Sequence, residues 1–235
     1  MKNNRFHSFL KAAVLLLAFA GFTATEVEAQ FSLGLETNSR YVWRGFDFGD
    51  SPSIMPEVTY AAGGLEVGIW AAYATNGDPD GTEIDIFASY TIETDAGNFA
   101  LSVTDYTFPS PDVNYFDGDE HFVELGLHYD TAISNMTDFY LSGNIFVLND
   151  DDNSIYVETG FDFDLDEVGL SLFGGFTPGE SEEYATTGFA FINVGAAVSK
   201  DITLSSGREI GLSTAFITNP HAENAFVVFG VGYGF

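Results

Sequence analysis

Apolar and polar residues alternate one by one through most of this chain. In one segment, Ile84, Ile86 and Ile92 share one parity. Glu83 and Asp85 share the other. Successive side chains of a β-strand point to opposite faces, so a period of two is typical of a strand with one apolar and one polar face. Such segments recur to the end of the chain, and the pattern therefore predicts an all-β protein.

Twelve alternating segments can be delimited, separated by connections rich in turn-forming residues. They span residues 31–46, 53–61, 65–75, 83–93, 98–107, 120–130, 139–148, 154–164, 168–177, 189–203, 209–218 and 225–235. Strands of about 9–11 residues cross an outer membrane, and single-chain bacterial barrels have an even number of strands. The sequence therefore predicts a transmembrane antiparallel up-and-down β-barrel of about 12 strands.

The connections between these segments alternate between two kinds. Those that follow the first, third, fifth and later odd segments are long and carry acidic clusters such as residues 150–152. Those that follow the even segments are mostly short turns, such as residues 62–64. Long loops outside and short turns on the periplasmic side are typical of outer-membrane barrels. We therefore expect both termini on the periplasmic side.

The first residues have the pattern of a secretory signal peptide. Basic residues precede an apolar run from Ala12 to Phe22, and a small-x-small cleavage pattern ends at Ala29. This run is shorter than the roughly 20 apolar residues that a membrane helix needs. We therefore predict that residues 1–29 are a cleaved signal peptide and that residues 30–235 form one outer-membrane β-barrel.

The last segment ends on an aromatic residue, Phe235, with Tyr233 two positions before it. This ending resembles the signal by which bacterial outer-membrane proteins are assembled. The polar residue usual near its start is replaced here by Val228. We expect the outer-membrane assembly machinery to be a partner of the chain through Phe235.

The chain is strongly acidic, with 35 Asp and Glu residues, 7 Lys and Arg residues and a net charge of −28 at pH 7. Nucleic acid would be repelled, so we exclude it as a partner. The chain has no cysteine, which excludes disulfides, thiol catalysis and thiolate metal sites. The acidity fits either a cation-selective lumen or adaptation to a high-salt habitat.

Charged residues lie on the polar face of the predicted strands. A dry soluble core could not hold them, whereas the polar face of a membrane barrel lines a wet lumen. Read by parity, Arg40 and Arg44 face the lumen from the first strand, and Tyr41 and Trp43 face lipid. Arginine pairs well with carboxylates, so we expect both arginines to bridge several lumen acids. The predicted lumen charge network is Glu36, Arg40, Arg44, Glu57, Glu66, Glu83, Asp85, Glu124 and Glu158.

Aromatic residues share the polar face with these charges. The predicted lumen aromatics are Trp70, Phe87, Tyr140 and Tyr156, with Tyr106, Phe122 and Phe191 on the same parity. They can form a track on which sugars or nucleosides stack, or they can simply fill a lumen of this size. The charge network has the same two interpretations, a brace for the barrel wall or a constriction that orients a passing solute.

The segment Tyr41-Val42-Trp43-Arg44-Gly45, followed by Ser51 and Pro56, resembles the opening of the TorF-family porins of Gram-negative bacteria. The resemblance is specific over residues 39–56 and general elsewhere. It implies a β-barrel, an outer-membrane location and a porin role. It supplies no catalytic residues.

These observations predict a porin-like barrel in the outer membrane of a Gram-negative bacterium. We expect it to pass small hydrophilic solutes passively, with a preference for cations, and to contact the lipid bilayer and lipopolysaccharide. The alternative is a closed structural or surface-contact barrel without channel activity. No nucleophile stands near a positioned base, so we expect no enzyme activity, and we expect no cofactor and no dedicated metal site.

Overall fold

The computed structural model describes residues 29–110 and 118–234. The predicted signal peptide, apart from Ala29, and the terminal Phe235 lie outside the described residues. The strands are β1 (Ala29–Asn38), β2 (Tyr41–Trp43), β3 (Phe46–Phe48), β4 (Ser53–Ala62), β5 (Leu65–Ala74), β6 (Thr82–Thr94), β7 (Gly97–Thr107), β8 (His121–Ser134), β9 (Thr137–Leu148), β10 (Ile155–Asp164), β11 (Gly169–Thr177), β12 (Glu180–Ser181), β13 (Thr186–Thr187), β14 (Ala190–Thr203), β15 (Glu209–Asn219) and β16 (Asn224–Gly234).

Twelve of these strands close into one antiparallel barrel, in the order β1, β4 to β11, and β14 to β16. Strand β1 closes the ring because it pairs with β4 on one side and with β16 on the other. Each wall strand from β4 to β15 pairs with the wall strand before it and the one after it in sequence, which is the predicted up-and-down order. The described residues include no helix that could span a membrane.

The two ends of the barrel differ in their connections. We call the loop end the one that carries the connections after β1, β5, β7, β9, β11 and β15. Two short 3-10 turns, Pro79–Gly81 and Gly118–Glu120, lie in these connections. We call the other end, where Ala29 and Gly234 also lie, the turn end. Five of the six loop-end connections have six residues or more, and all five turn-end connections have five or fewer, so the alternation of long and short connections predicted from sequence is confirmed for all but the connection after β15.

Large apolar side chains cover the outer face of the wall. Phe31 is 74% exposed and Phe229 is 58% exposed, and residues of the same parity in the other strands are also exposed. In a water-soluble barrel this parity would be buried. An apolar exterior of this extent is instead the surface that a membrane barrel presents to lipid.

The first predicted strand needs a correction. Its period of two continues from residue 31 to residue 46, but β1 leaves the wall at Asn38. The chain then forms a small hairpin of β2 and β3 that pairs only with itself. A hairpin strand has the same period of two as a wall strand, so the pattern could not show where the wall ends. Arg40 and Arg44 are therefore not on a wall strand.

The hairpin folds into the loop end of the lumen. Two clusters of buried residues form around it. One consists of Tyr106, Phe146, Tyr156, Tyr184, Ala190 and Ile192, with Trp43, Phe46 and Phe122 packed against it. The other consists of Tyr41, Met55 and Ala72, with Trp43, Phe48 and Trp70 packed against it. Since Trp43 packs against both clusters, the hairpin joins opposite parts of the wall.

A β-bulge changes one face of the wall. The register between β11 and β14 shifts at Gly175 and Phe176, so β14 carries an extra residue at Ile192. Side chains before the bulge therefore point to the opposite face from their sequence parity. Phe191, predicted to face the lumen, is 48% exposed and contacts Phe176 and Phe189 instead.

Candidate functional site

The tip of the hairpin is a two-residue turn formed by Arg44 and Gly45. Both residues have positive φ angles, 48° and 83°, as a type I′ turn requires. A Cβ atom on Gly45 would lie 1.9 Å from the carbonyl oxygen of Ile192 and 3.2 Å from the Cβ of Asn219. The tip is therefore pressed against β14 and the end of β15, and glycine is the residue that fits there.

Arg44 is held inside the loop end by a bidentate ion pair. Its Nη1 and Nη2 donate to the two carboxylate oxygens of Glu124 at 2.6 and 2.9 Å. Nη1 also donates to the phenol oxygen of Tyr184. The guanidinium carbon lies 4.4 Å from the ring centre of Trp43 and 4.3 Å from that of Tyr156. Parallel donors and flanking rings are the contacts that a guanidinium favours.

This pair is largely removed from water, since the side chains of Arg44 and Glu124 are 11% and 5% exposed. Tyr184 comes from the connection between β12 and β13, a second segment that folds into the lumen. Burial raises the pKa of the Tyr184 phenol, although Arg44 opposes the shift. Burial also raises the pKa of the neighbouring Glu183, and the carboxylate of Asp150 adds to that effect.

Arg40 lies in a different environment. Its Nη1 donates to Asp47 and, at 2.5 Å, to Asp50, and its side chain is 38% exposed. Asp47 belongs to β3 and Asp50 to the turn that follows, so Arg40 ties the base of the hairpin together. The two arginines were predicted to share one charge network, but they belong to two separate sites.

The predicted partners of the arginines need the same correction. Neither arginine forms an ion pair with Glu36, Glu57, Glu66, Glu83 or Glu158 within the described part of the chain. Tyrosines and an amide bind several acids instead. Tyr41 donates to Glu83 at 2.8 Å and Tyr106 donates to Glu124 at 3.0 Å. Glu158 accepts from Tyr140 at 3.0 Å and from Asn193 at 2.8 Å.

The predicted lumen aromatics lie on the inner face of the wall. Tyr156 lies beside Arg44, and Tyr140 stacks on His128 with ring centres 5.9 Å apart. The ring of Phe87 covers Gly68, where an added Cβ would lie 2.4 Å from it. Trp70 lines the cavity between the wall and the hairpin, so these rings share the inner face with the carboxylates.

Tyr41 and Trp43 were predicted to face lipid, and this prediction was wrong. Tyr41 is buried inside the barrel and lies 5.4 Å from Trp70, between ring centres. Trp43 lies 6.0 Å from Tyr106. The chain leaves the wall after Asn38, before both residues, and the tight turn at Arg44 and Gly45 then folds it back on itself as a hairpin inside the lumen. The Arg-Gly step in the sequence was the available signal.

A cavity of about 280 Å³ lies between the hairpin and the wall, and it is open rather than sealed. It is lined by Tyr41 and Trp43 of the hairpin and by Glu57, Trp70, Asp85, Phe87, Thr104 and Tyr106 of β4 to β7. The cavity therefore brings Tyr41 and Trp43 of the hairpin together with wall residues that were predicted to face the lumen. No group of His, Asp and Glu able to hold a metal ion occurs among the described residues.

The barrel is similar to solved structures of bacterial channels. One is the KdgM porin in complex with disordered oligogalacturonate, with a TM-score of 0.58 and 8% identity over 87% of this chain and 98% of that chain. Another is an outer membrane channel from Pseudomonas putida F1, with a TM-score of 0.52 and 12% identity over 90% of this chain and 96% of that chain. At these identities the similarity shows a porin-like fold. No curated protein matches the chain.

The TorF resemblance is therefore confirmed only as far as a porin-like barrel, since nothing in these similarities indicates that family specifically. A family model described as "Bacterial protein of unknown function (Gcw_chp)" matches residues 23–229. This match covers most of the barrel, so the chain belongs to the Gcw_chp family.

Proposed function

We propose that the protein is a channel of the bacterial outer membrane that passes small hydrophilic solutes. The observation that carries this proposal is a closed twelve-strand barrel with an apolar outer face and carboxylates on its inner face. The barrel shares its fold with proteins named as a porin and an outer membrane channel. In this proposal residues 1–29 direct secretion, Phe235 contacts the assembly machinery, and the outer face contacts lipid and lipopolysaccharide.

The inner carboxylates favour cations. Glu36, Glu57 and Glu66 lie on the neighbouring strands β1, β4 and β5, without an arginine paired to them in the described structure. Rings of acidic side chains select cations in other pores. These carboxylates would repel an acidic sugar such as the oligogalacturonate of the KdgM complex.

The hairpin gives the channel a constriction at its loop end. It brings Arg44 and Trp43 into the lumen and packs them against β8, β7 and β10. The same packing favours the second candidate function, a barrel that stays closed. The two candidates share one fold and differ only in whether a path remains past the hairpin.

Single-channel recording in a planar bilayer tests the proposal. We expect discrete conductance steps, and a reversal potential in a KCl gradient that shows preference for K⁺ over Cl⁻. A protein that is folded, as judged by heat-modifiable migration on a gel, but gives no steps would contradict the channel and favour the closed barrel. Steps with anion preference would retain the channel and contradict the role of the carboxylates.

A further inference from the structure

We propose that the cavity under the hairpin binds a neutral saccharide of one or two pyranose rings. The proposal rests on the proposed function, because such a solute would reach the cavity through the lumen, and it names a class of solute for the channel. Two adjacent aromatic rings on the wall, a polar group on each side of them and the hairpin above them carry it.

The floor of the cavity spans four neighbouring strands. Glu57 of β4 is directly opposite Trp70 of β5. Phe87 of β6 is directly opposite Thr104 of β7. Trp70 and Phe87 are diagonal neighbours, because Trp70 is opposite Asp85, two residues before Phe87. Diagonal aromatic side chains on one face of a sheet are within reach of each other. The floor is therefore a pair of rings with a carboxylate on one side and a hydroxyl on the other.

The two rings of the floor are held in place from different sides. The ring of Phe87 lies over Gly68, where an added Cβ would be 2.4 Å from it, so the wall supports this ring. Trp70 packs against Tyr41 of the hairpin, with 5.4 Å between the ring centres. Both Trp70 and Phe87 line the cavity and give it an apolar surface. The apolar C–H face of a pyranose ring fits such an aromatic platform.

The polar groups beside the rings are accessible to a ligand. Glu57 and Thr104 are both partly exposed, and neither side chain is hydrogen-bonded within the described part of the chain. A carboxylate accepts hydrogen bonds, and a threonine hydroxyl both donates and accepts them. Sugar hydroxyls also do both, so these two groups can bind the rim of a pyranose whose face rests on the rings. Asp85 takes no part, because its carboxyl is buried and hydrogen-bonded to Glu83.

The size and charge of the cavity favour a small neutral sugar. Its volume of about 280 Å³ suits a ligand of one or two rings, and Tyr41 and Trp43 of the hairpin cover it while leaving it open. Sites for small molecules combine apolar walls with a few polar groups that fix the ligand's orientation. An acidic sugar would be repelled by Glu57 and by Glu36 and Glu66 on the neighbouring strands.

The chain carries its own reporter of this site. It has two tryptophans, Trp43 and Trp70, and both line the cavity, so a bound sugar should change tryptophan emission. The experiment titrates the folded protein with maltose, in micelles of a detergent that has no sugar headgroup. Sorbitol is one control ligand, since it has hydroxyls but no rigid ring to lie on the aromatic platform. Digalacturonate is a second, since each of its two sugar rings carries a carboxylate.

We expect maltose to change the emission saturably, and both control ligands to bind at least about tenfold more weakly. Phe87→Ala should weaken maltose binding by about tenfold, because it removes half of the aromatic platform. Thr104→Val keeps the side-chain volume but removes the hydroxyl, and it should weaken binding by about threefold to tenfold. The matched control is Tyr140→Ala, which removes an inner-face ring that stacks on His128 outside the cavity. Its maltose affinity should equal that of the wild type.

The site is refuted if folded wild-type protein shows no saturable change with maltose, or if either control ligand binds as tightly as maltose. It is also refuted if Phe87→Ala binds maltose as the wild type does, or if Tyr140→Ala weakens binding as much as Phe87→Ala. Should Phe87→Ala fail to fold, Thr104→Val takes its place in the same comparison. Micelle binding does not depend on conductance. A silent barrel that binds maltose contradicts the channel alone, and a conducting barrel that does not bind it contradicts the site alone.

Discussion

The loop end and the turn end of this lumen are built from the same kind of strand, yet their interiors differ. At the loop end, inward side chains such as Phe146, Tyr156 and Ile192 are buried against the hairpin and the segment of Tyr184. At the turn end, inward side chains such as His128 and Asp130 remain 43% and 41% exposed. One end of the barrel therefore resembles a protein core and the other a water-filled vestibule.

This difference shows that burial, more than charge itself, sets what a residue contributes here. Arg44 and Arg40 stand four residues apart and both bind carboxylates. Arg44 enters the packed end, where its loss would leave the carboxylate of Glu124 buried without its guanidinium partner. Arg40 stays at the base of the hairpin with its side chain 38% exposed, so its loss would leave Asp50 solvated by water and only Asp47 buried. The substitutions below test this contrast in order of decreasing expected effect on the free energy of unfolding.

Arg44→Ala should have the largest effect. It leaves the carboxylate of Glu124 buried and without its guanidinium partner, which typically costs about 3–5 kcal/mol. Urea denaturation followed by tryptophan fluorescence in micelles measures this loss. If the proposed channel is correct, release of the hairpin should also enlarge the single-channel conductance. A loss below about 1 kcal/mol would contradict the importance assigned to the buried pair.

Gly45→Ala should have the next largest effect. The added methyl group meets the backbone carbonyl of Ile192, which cannot move aside as a side chain can, and alanine disfavours the positive φ angle. Together these effects should lower the unfolding free energy by about 2 kcal/mol or more. Gly232→Ala is the control, because an added Cβ there meets nothing within 4 Å. Equal losses in the two variants would contradict close contact at the hairpin tip.

Arg40→Ala should have a smaller effect than Arg44→Ala. The pair with Asp50 is solvent exposed, but Asp47 is only 12% exposed and would lose its guanidinium partner, so the unfolding free energy should fall by about 1–2 kcal/mol. The same denaturation measurement, made at low and high salt, should show that only the part of this loss due to the exposed pair with Asp50 shrinks with added salt. A loss as large as that of Arg44→Ala would remove the distinction between the two sites.

Glu66→Gln should leave stability almost unchanged, within about 0.5 kcal/mol, because the residue lies near the open turn end. In the proposed channel it should lower the permeability ratio of K⁺ to Cl⁻, measured as a smaller reversal potential in a KCl gradient. Glu167→Gln is the control, since Glu167 lies in a connection at the turn end and pairs with Lys200. An equal change in both variants would argue against selection by the lumen.

The sequence predicted the wall well because two solvents enforce its pattern. Lipid outside and water inside require apolar and polar side chains on alternate residues. The sequence of each strand therefore shows which residues face lipid and which face the lumen. Eleven of the twelve predicted segments match wall strands within a few residues. The inward placement of Glu83, Asp85, Trp70 and Phe87 followed from the same rule and is found in the structure.

The rule failed at two kinds of place. At Phe191 a single extra residue in β14 reverses the parity, and nothing local in the sequence indicates it. At Tyr41 and Trp43 the chain keeps its period of two after leaving the wall. A period of two shows that a segment is extended, but it does not show which strands lie beside that segment.

The sequence by itself therefore determined a closed barrel, eleven of its twelve strand spans to within a few residues and most of its inner face, because these depend on the local alternation of side chains. Only the tertiary structure decided where residues 41–48 go and which acid receives Arg44. That partner, Glu124, is 80 residues away along the chain. It is chosen by the packing of rings around the guanidinium and by the lack of water at the loop end, and both arise only when the barrel has closed around the hairpin.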